Sequence, residues 1–161
     1  MPARFFLPLT ALLALAGAAA PASAHDYKVG GLSISHPWIR ATPKGAAVAG
    51  GFVTITNTGA TTDRLVGGGV TGASRAEVHA TTTEGGVARM APVEGGLEIK
   101  PGETIKLAPG GYHLMFMGLK GSFVDGELIE GTLQFQNAGR VPVEFEVQSV
   151  GAQAPAHSHR R

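Results

Sequence analysis

No cysteine occurs anywhere in the 161 residues. That absence removes thiol redox chemistry, disulfide cross-links and every metal site that needs a thiolate, zinc fingers and blue-copper centres included. Stability has to come from packing. Charge is scarce as well: 16% of residues are charged, with 13 Lys and Arg against 12 Asp and Glu and a formal net charge of +1. With no basic cluster, the chain lacks the electrostatic footprint of a nucleic-acid binder. There are no paired carboxylates in a suggestive setting, no nucleophile elbow and no phosphate loop, so no enzyme template is met and an enzyme is not expected. No stretch keeps a helical period over ten residues, and after the first residues no apolar run approaches membrane-spanning length.

What is present starts with Arg4, an apolar run from Phe5 to about Ala20, and Ala22-Ser23-Ala24. These are the three parts of a secretory signal peptide, which predicts cleavage after Ala24, a mature chain starting at His25 and a periplasmic location; an uncleaved anchor is the alternative. The leader holds one of the basic residues, leaving twelve against twelve in the mature chain. Residues 25–150 read as one domain, long enough to bury a core without staples. From Gly151 onward the sequence turns polar, with Pro155, His157 and His159, and reads as a disordered tail over 151–161.

The domain reads as all-β. Val141, Val143, Phe145 and Val147 alternate with Glu144, Glu146 and Gln148; Ile129, Leu133 and Phe135 share a face; Phe52, Thr54 and Thr56 alternate with Val53, Ile55 and Asn57. Period two is the signature of a half-buried strand. Turn signals separate the runs: Asn57-Thr58-Gly59, Gly67-Gly68-Gly69, Glu84-Gly85-Gly86, Pro101-Gly102, Pro109-Gly110-Gly111 and Asn137-Ala138-Gly139. Seven to nine short strands at this spacing predict an antiparallel sandwich or barrel.

The chemistry lies in methionine and histidine. The mature chain has three methionines, Met90, Met115 and Met117, all inside a 28-residue window close to His79 and His113. In His113-Leu114-Met115 the two ligand-type residues are two apart on a strand and share a face. A hairpin closed by Glu84-Gly85 sets His79 opposite Met90; one closed by Gly85-Gly86 shifts the pairing by two and keeps both on one face; a three-residue loop separates them. Two imidazoles and two thioethers form a neutral, soft ligand set that favours Cu(I) over Zn(II), Mg(II) or Ca(II). Ordinary buried histidines and gap-filling core methionines fit the same residues.

The spacing and three flanking phrases are similar to the periplasmic copper chaperones called PCu(A)C. That family's motif is a histidine, ten residues, a methionine, twenty-one residues, then His-x-Met. Here ten residues separate His79 from Met90, and twenty-two separate Met90 from His113-Leu114-Met115. The phrases are His36-Pro37-Trp38-Ile39-Arg40-Ala41-Thr42-Pro43, Ala91-Pro92-Val93-Glu94-Gly95-Gly96-Leu97-Glu98-Ile99, and Pro109-Gly110-Gly111-Tyr112 running on through the site to Lys120. The resemblance spans Tyr27 to Val150. It implies a cupredoxin-like (Ig-like) β-sandwich, a surface Cu(I) site, and delivery to a partner such as the Cu(A) centre on subunit II of cytochrome c oxidase or a thiol-bearing co-chaperone. The additional spacer residue is assigned to Gly95-Gly96, where a loop glycine leaves the ligands in place. Ala80 stands beside His79 where many relatives carry methionine.

Met117 shares the parity of His113 and Met115 and reads as core or an outer support rather than a ligand. His25, with the new α-amine, and tail residues His157 and His159 are candidates for Cu(II) capture. His36 and Pro37 read as structural, with Pro37 fixing the start of a strand and Trp38 anchoring the core. Three functions compete: a Cu(I) metallochaperone, a copper storage or resistance protein without a dedicated recipient, and a metal-free interaction module. A monomer without nucleic-acid partner is expected.

Overall fold

A computed structural model describes residues 26–155. The signal-peptide expectation for 1–24, His25, His157 and His159 lie outside the described residues. Eleven strands and no helix are found within them. In chain order these are β1 (Asp26–Val29), β2 (Leu32–Arg40), β3 (Val48–Asn57), β4 (Asp63–Val70), β5 (Arg75–Glu84), β6 (Val87–Pro92), β7 (Leu97–Ile99), β8 (Thr104–Leu107), β9 (Tyr112–Met117), β10 (Leu128–Phe135) and β11 (Arg140–Gln148). The all-β expectation holds. The strand number exceeds the expected seven to nine because β1, β7 and β8 span only three or four residues each, too short for alternation to register.

Hydrogen bonding runs β6-β5-β9-β3-β2-β11-β10-β4-β7, with β1 added to β2 and β8 to β3. Every pair is antiparallel except β11 with β2, where Val147 faces Ile39 in a parallel register. An entirely antiparallel sandwich was expected; two strands from opposite ends of the chain have no hairpin to fix their direction. The sheet curls so that its two halves face each other. Phe116 of β9 and Phe145 of β11, three strands apart in the sheet, meet edge-on at 5.6 Å between ring centroids. Around them pack Ile39, Ile55, Leu65, Leu114, Leu133 and Val141, all buried. The alternations read from the sequence are inward-facing as expected: Val141, Val143, Phe145 and Val147 are buried, as are Leu133, Phe135, Val53 and Ile55.

Three local readings change. Gly67-Gly68-Gly69 is not a turn but the interior of β4, where a Cβ on Gly68 would lie 2.6 Å from the Thr132 carbonyl oxygen of β10. Glycine is there for close strand approach, not for a bend. Pro37 does not start a strand; β2 runs through it. The β2–β3 register shifts between Ser35 and Trp38, and His36 adopts a φ of 52°. A bulge is where a strand tolerates a residue without an N–H. Trp38 does not anchor the interior core. It is buried on the outer face of the sheet, stacked on Phe52 at 4.4 Å. Past β11 the chain stays attached at the start of the expected tail: Arg40 donates to the Ala152 carbonyl at 2.6 Å, and Gln153 to Pro155 lie beside His36 and Trp38.

At the opposite end of the fold, Asp63 closes the β4 start. Its carboxylate accepts from the backbone amides of Arg64, Asn137 and Ala138 at 2.7 to 2.9 Å while only 7% exposed. Replacing it with alanine strips three part-buried donors of their acceptor. The expected loss is about 2–4 kcal/mol in urea unfolding; a loss below about 1 kcal/mol contradicts this role.

Candidate metal centre

Val78, Leu114 and Phe116 enter the core. Strand alternation therefore turns Glu77 and His79 of β5, and His113, Met115 and Met117 of β9, to the outer face. The two strands pair antiparallel with His79 opposite His113, Glu77 opposite Met115 and Arg75 opposite Met117. One face thus carries a ladder of three rungs, with both imidazoles on one rung and a thioether on each of the other two.

Met90 joins this face from β6, the edge strand of the sheet. The hairpin turn is Gly85-Gly86, with φ of 57° and 80°. A two-residue hairpin loop of this kind needs positive φ at both central positions, which Glu84 would adopt only under strain. Of the registers allowed by the sequence, the structure takes the one shifted by two. His79 faces Pro92 and Met90 faces Thr81. The direct His79–Met90 pairing through a Glu84-Gly85 loop is not formed, but the two remain diagonal neighbours on one face. Such diagonals span about 7–8 Å, within reach of a flexible thioether. Met90 is 59% exposed, and none of the three methionines belongs to the core cluster. They are not core fillers.

Each histidine spends one nitrogen on a fixed acceptor and keeps the other. His113 Nδ1 lies 3.1 Å from the Gly111 carbonyl oxygen, which can only accept, so the proton is on Nδ1. His79 Nε2 lies 3.0 Å from a Glu77 carboxylate oxygen, so its proton is on Nε2. His113 Nε2 and His79 Nδ1 are both buried and have no hydrogen-bond partner. A buried nitrogen lone pair without a donor is unfavourable unless something else takes it up. Burial also pushes the His113 pKa below its ordinary 6.5, with the nearby His79 adding to the drop and the Gly111 hydrogen bond opposing it. The neutral imidazole that a metal requires is the favoured form.

The ring centroids of His79 and His113 are 5.8 Å apart. With metal–nitrogen bonds near 2.0–2.1 Å, two imidazoles on one ion have centroids at most about 6.4 Å apart, so the observed spacing fits a shared ion. The one carboxylate on this face, Glu77, is engaged with His79 Nε2, and among the described residues no group of three or more His, Cys, Asp or Glu could hold a metal. A neutral His and Met set on the sheet surface suits a soft monovalent ion.

Met117 lies on the same face but its sulfur is engaged, 3.4 Å from Arg75 Nη2. It is partly exposed, not core. Two neighbours were not singled out from the sequence. Glu77 shares the parity of His79, a signal legible in Glu77-Val78-His79. Phe52 shares the face of Gly50, which pairs with Met115, and its ring leans over Gly50, with Cζ 3.1 Å from where a Cβ would stand. With Trp38 it forms an aromatic flank beside Met115. No sequence periodicity announces that, because Phe52 and Trp38 meet only through strand pairing. The open hollow lined by Tyr27, Gly69, Thr132 and Pro142 shares no residue with this face.

Comparison with known proteins bears on the family and the fold. The model of the LpqE-like family, described as "Putative lipoprotein LpqE-like", matches residues 32–147. A protein of Leifsonia xyli subsp. xyli, Lxx21020, likewise named a lipoprotein, is 37% identical over 141 residues, covering 85% of this chain and 84% of its own. Among solved structures, the copper-bound PCuAC domain of PmoF2 superposes with a TM-score of 0.65 at 26% identity, covering 78% of this chain and 98% of that domain. The apo PCuAC domain of PmoF1 gives 0.65 at 30% identity over 78% and 99%. The Cu(I) form of DR1885 from Deinococcus radiodurans gives 0.59 at 28% over 79% and 83%. The chain is similar to these in fold, cupredoxin-like and β throughout.

Proposed function

This chain belongs to the LpqE-like family, and from that premise we propose that it is a copper carrier, binding one Cu(I) through His79, Met90, His113 and Met115 and passing it to an acceptor. The observation that carries the reading is the pair of buried, unpartnered ring nitrogens, His79 Nδ1 and His113 Nε2, on adjacent residues of neighbouring strands. Met115 lies beside them on β9 and Met90 on the exposed edge strand. Copper is cargo here. Thioethers stabilise Cu(I), neutral imidazoles add no charge to be overcome on release, and the exposed Met90 is the ligand an acceptor meets first.

Support for the copper class comes from the PCuAC domains that this chain resembles, whose structures are described as copper-bound or Cu(I)-bound. The acceptor is a soft-ligand site: the Cu(A) centre of cytochrome c oxidase, or a co-chaperone thiol. We place the protein outside the cytoplasm, in keeping with its leader-like first residues and the lipoprotein names of its relatives. Those names do not extend to a thiol-linked lipid on these 161 residues, which include no cysteine. Met117 and the terminal histidines His25, His157 and His159 stand outside the proposed Cu(I) set; the terminal histidines are candidates for Cu(II) capture.

Anaerobic titration with Cu(I) tests the site. One equivalent bound, with an X-ray absorption shell of two nitrogens and two sulfurs, is the expected result. No binding, or a shell without sulfur, ends the reading. Oxidase activity in a deletion strain grown with scarce copper separates delivery, where it falls, from storage, where it does not.

A further inference from the structure

Glu77 lies outside the ligand set, yet it decides what His79 can do. Imidazole normally exchanges its proton between two nitrogens, so a surface histidine offers either one to a metal. His79 is fixed: its Nε2 meets the Glu77 Oε2 at 3.0 Å and its Nδ1 is left buried and bare. The other Glu77 oxygen, Oε1, lies 3.7 Å from Arg75 Nη1, and the second arm of the same guanidinium reaches Met117 Sδ at 3.4 Å. Met117, Arg75, Glu77 and His79 therefore form one connected row across the rungs of the β5–β9 ladder.

We infer that Glu77 is a positioning residue for copper, holding the His79 Nε2–H so that Nδ1 faces the ion, while Arg75 steadies the carboxylate and keeps the Met117 sulfur out of the ligand set. The inference rests on the Cu(I) site proposed above and deepens it. The two histidines then offer opposite nitrogens: His113 presents Nε2 because a backbone carbonyl holds its Nδ1, and His79 presents Nδ1 because a side chain holds its Nε2. Only the second hold can be altered by mutation. Carboxylates behind metal-bound histidines commonly fix tautomer and ring orientation in this way. A stability role does not account for the row, because the side chains of Arg75 and Glu77 are 67% and 38% exposed and exposed pairs contribute little. The guanidinium beside Met117 also repels a cation from that sulfur, which leaves Met115 as the thioether of β9.

The test uses the metal-free protein and Cu(I) in parallel. Nitrogen-resolved NMR of the imidazoles should show His79 as the Nε2–H tautomer in the wild type and in Glu77→Gln, whose amide oxygen still accepts, but as a mixture in Glu77→Ala. Anaerobic competition for Cu(I) should show Glu77→Ala weaker by about 10–100-fold, with Glu77→Gln restored to within about threefold of wild type. Melting temperatures should stay together, which separates positioning from folding. A pure Nε2–H tautomer in Glu77→Ala, or undiminished Cu(I) affinity in that variant, overturns the inference while leaving the site intact. A wild-type protein that binds no Cu(I) overturns the site and this inference with it.

Discussion

His113→Ala lowers Cu(I) affinity at least about 100-fold, since loss of a ligand exceeds the 10–100-fold seen when only a ligand's supporting partner is removed. At 25 °C that is about 2.7 kcal/mol of binding. His113 is chosen because it is 5% exposed, its tautomer is set by the Gly111 carbonyl, and its free Nε2 has no other partner. The apo fold should survive, because the removed ring faces outward and Leu114 and Phe116 continue to fill the core. A pH signature accompanies the loss. Copper binding needs the neutral ring, and the His113 pKa is lowered, mainly by burial. Proton competition at His113 is therefore absent above pH 6.5 and sets in only as the pH falls through that lowered value. The same shift makes folding stability complete above 6.5 and weaker as acid forces the buried ring to charge. In the alanine variant both acid limbs should shrink. Equal affinity in wild type and His113→Ala, measured anaerobically against a chromophoric competitor, removes His113 from the site.

Phe116→Ala costs about 3–5 kcal/mol of apo stability. Phe116 is fully buried and meets Phe145 edge-on where the two halves of the curled sheet face each other. Its neighbours are anchored in separate strands and cannot all move into the vacated space, so a cavity persists. Met90→Ala is the contrast: at 59% exposure its removal should change stability by less than about 0.5 kcal/mol while weakening Cu(I) binding. Urea unfolding of the two variants beside wild type measures both. A Phe116→Ala loss below about 1 kcal/mol would mean that the two halves do not depend on this contact. The pair also separates the two faces of β9, one holding the fold and the other carrying the proposed ligands.

Much of this division was legible in the sequence. Alternation is local, so His113 and Met115 share a face whatever β9 pairs with. The same holds for the inward run Val141, Val143, Phe145 and Val147. The absence of cysteine, with methionines gathered near histidines, pointed to thioether and imidazole as the ligands of the proposed Cu(I) site before a strand was placed. Even the hairpin was half readable: glycines at 85 and 86 demanded a tight turn, and parity put Met90 on the face of His79 in either two-residue register.

What only the tertiary structure decided are the relations between strands that are not neighbours in the chain. His79 stands opposite His113 because β9 inserts between β5 and β3, a placement that no turn specifies. The parallel junction of β11 with β2 and the burial of Trp38 against Phe52 outside the core arise in the same way. So does the use of Gly68 as a point of close contact within β4. Side-chain parity is set by the backbone of one strand and can be read there. Strand order and register are set by packing the whole curled sheet around Phe116 and Phe145. The free nitrogens of His79 and His113 come together only once that packing is complete.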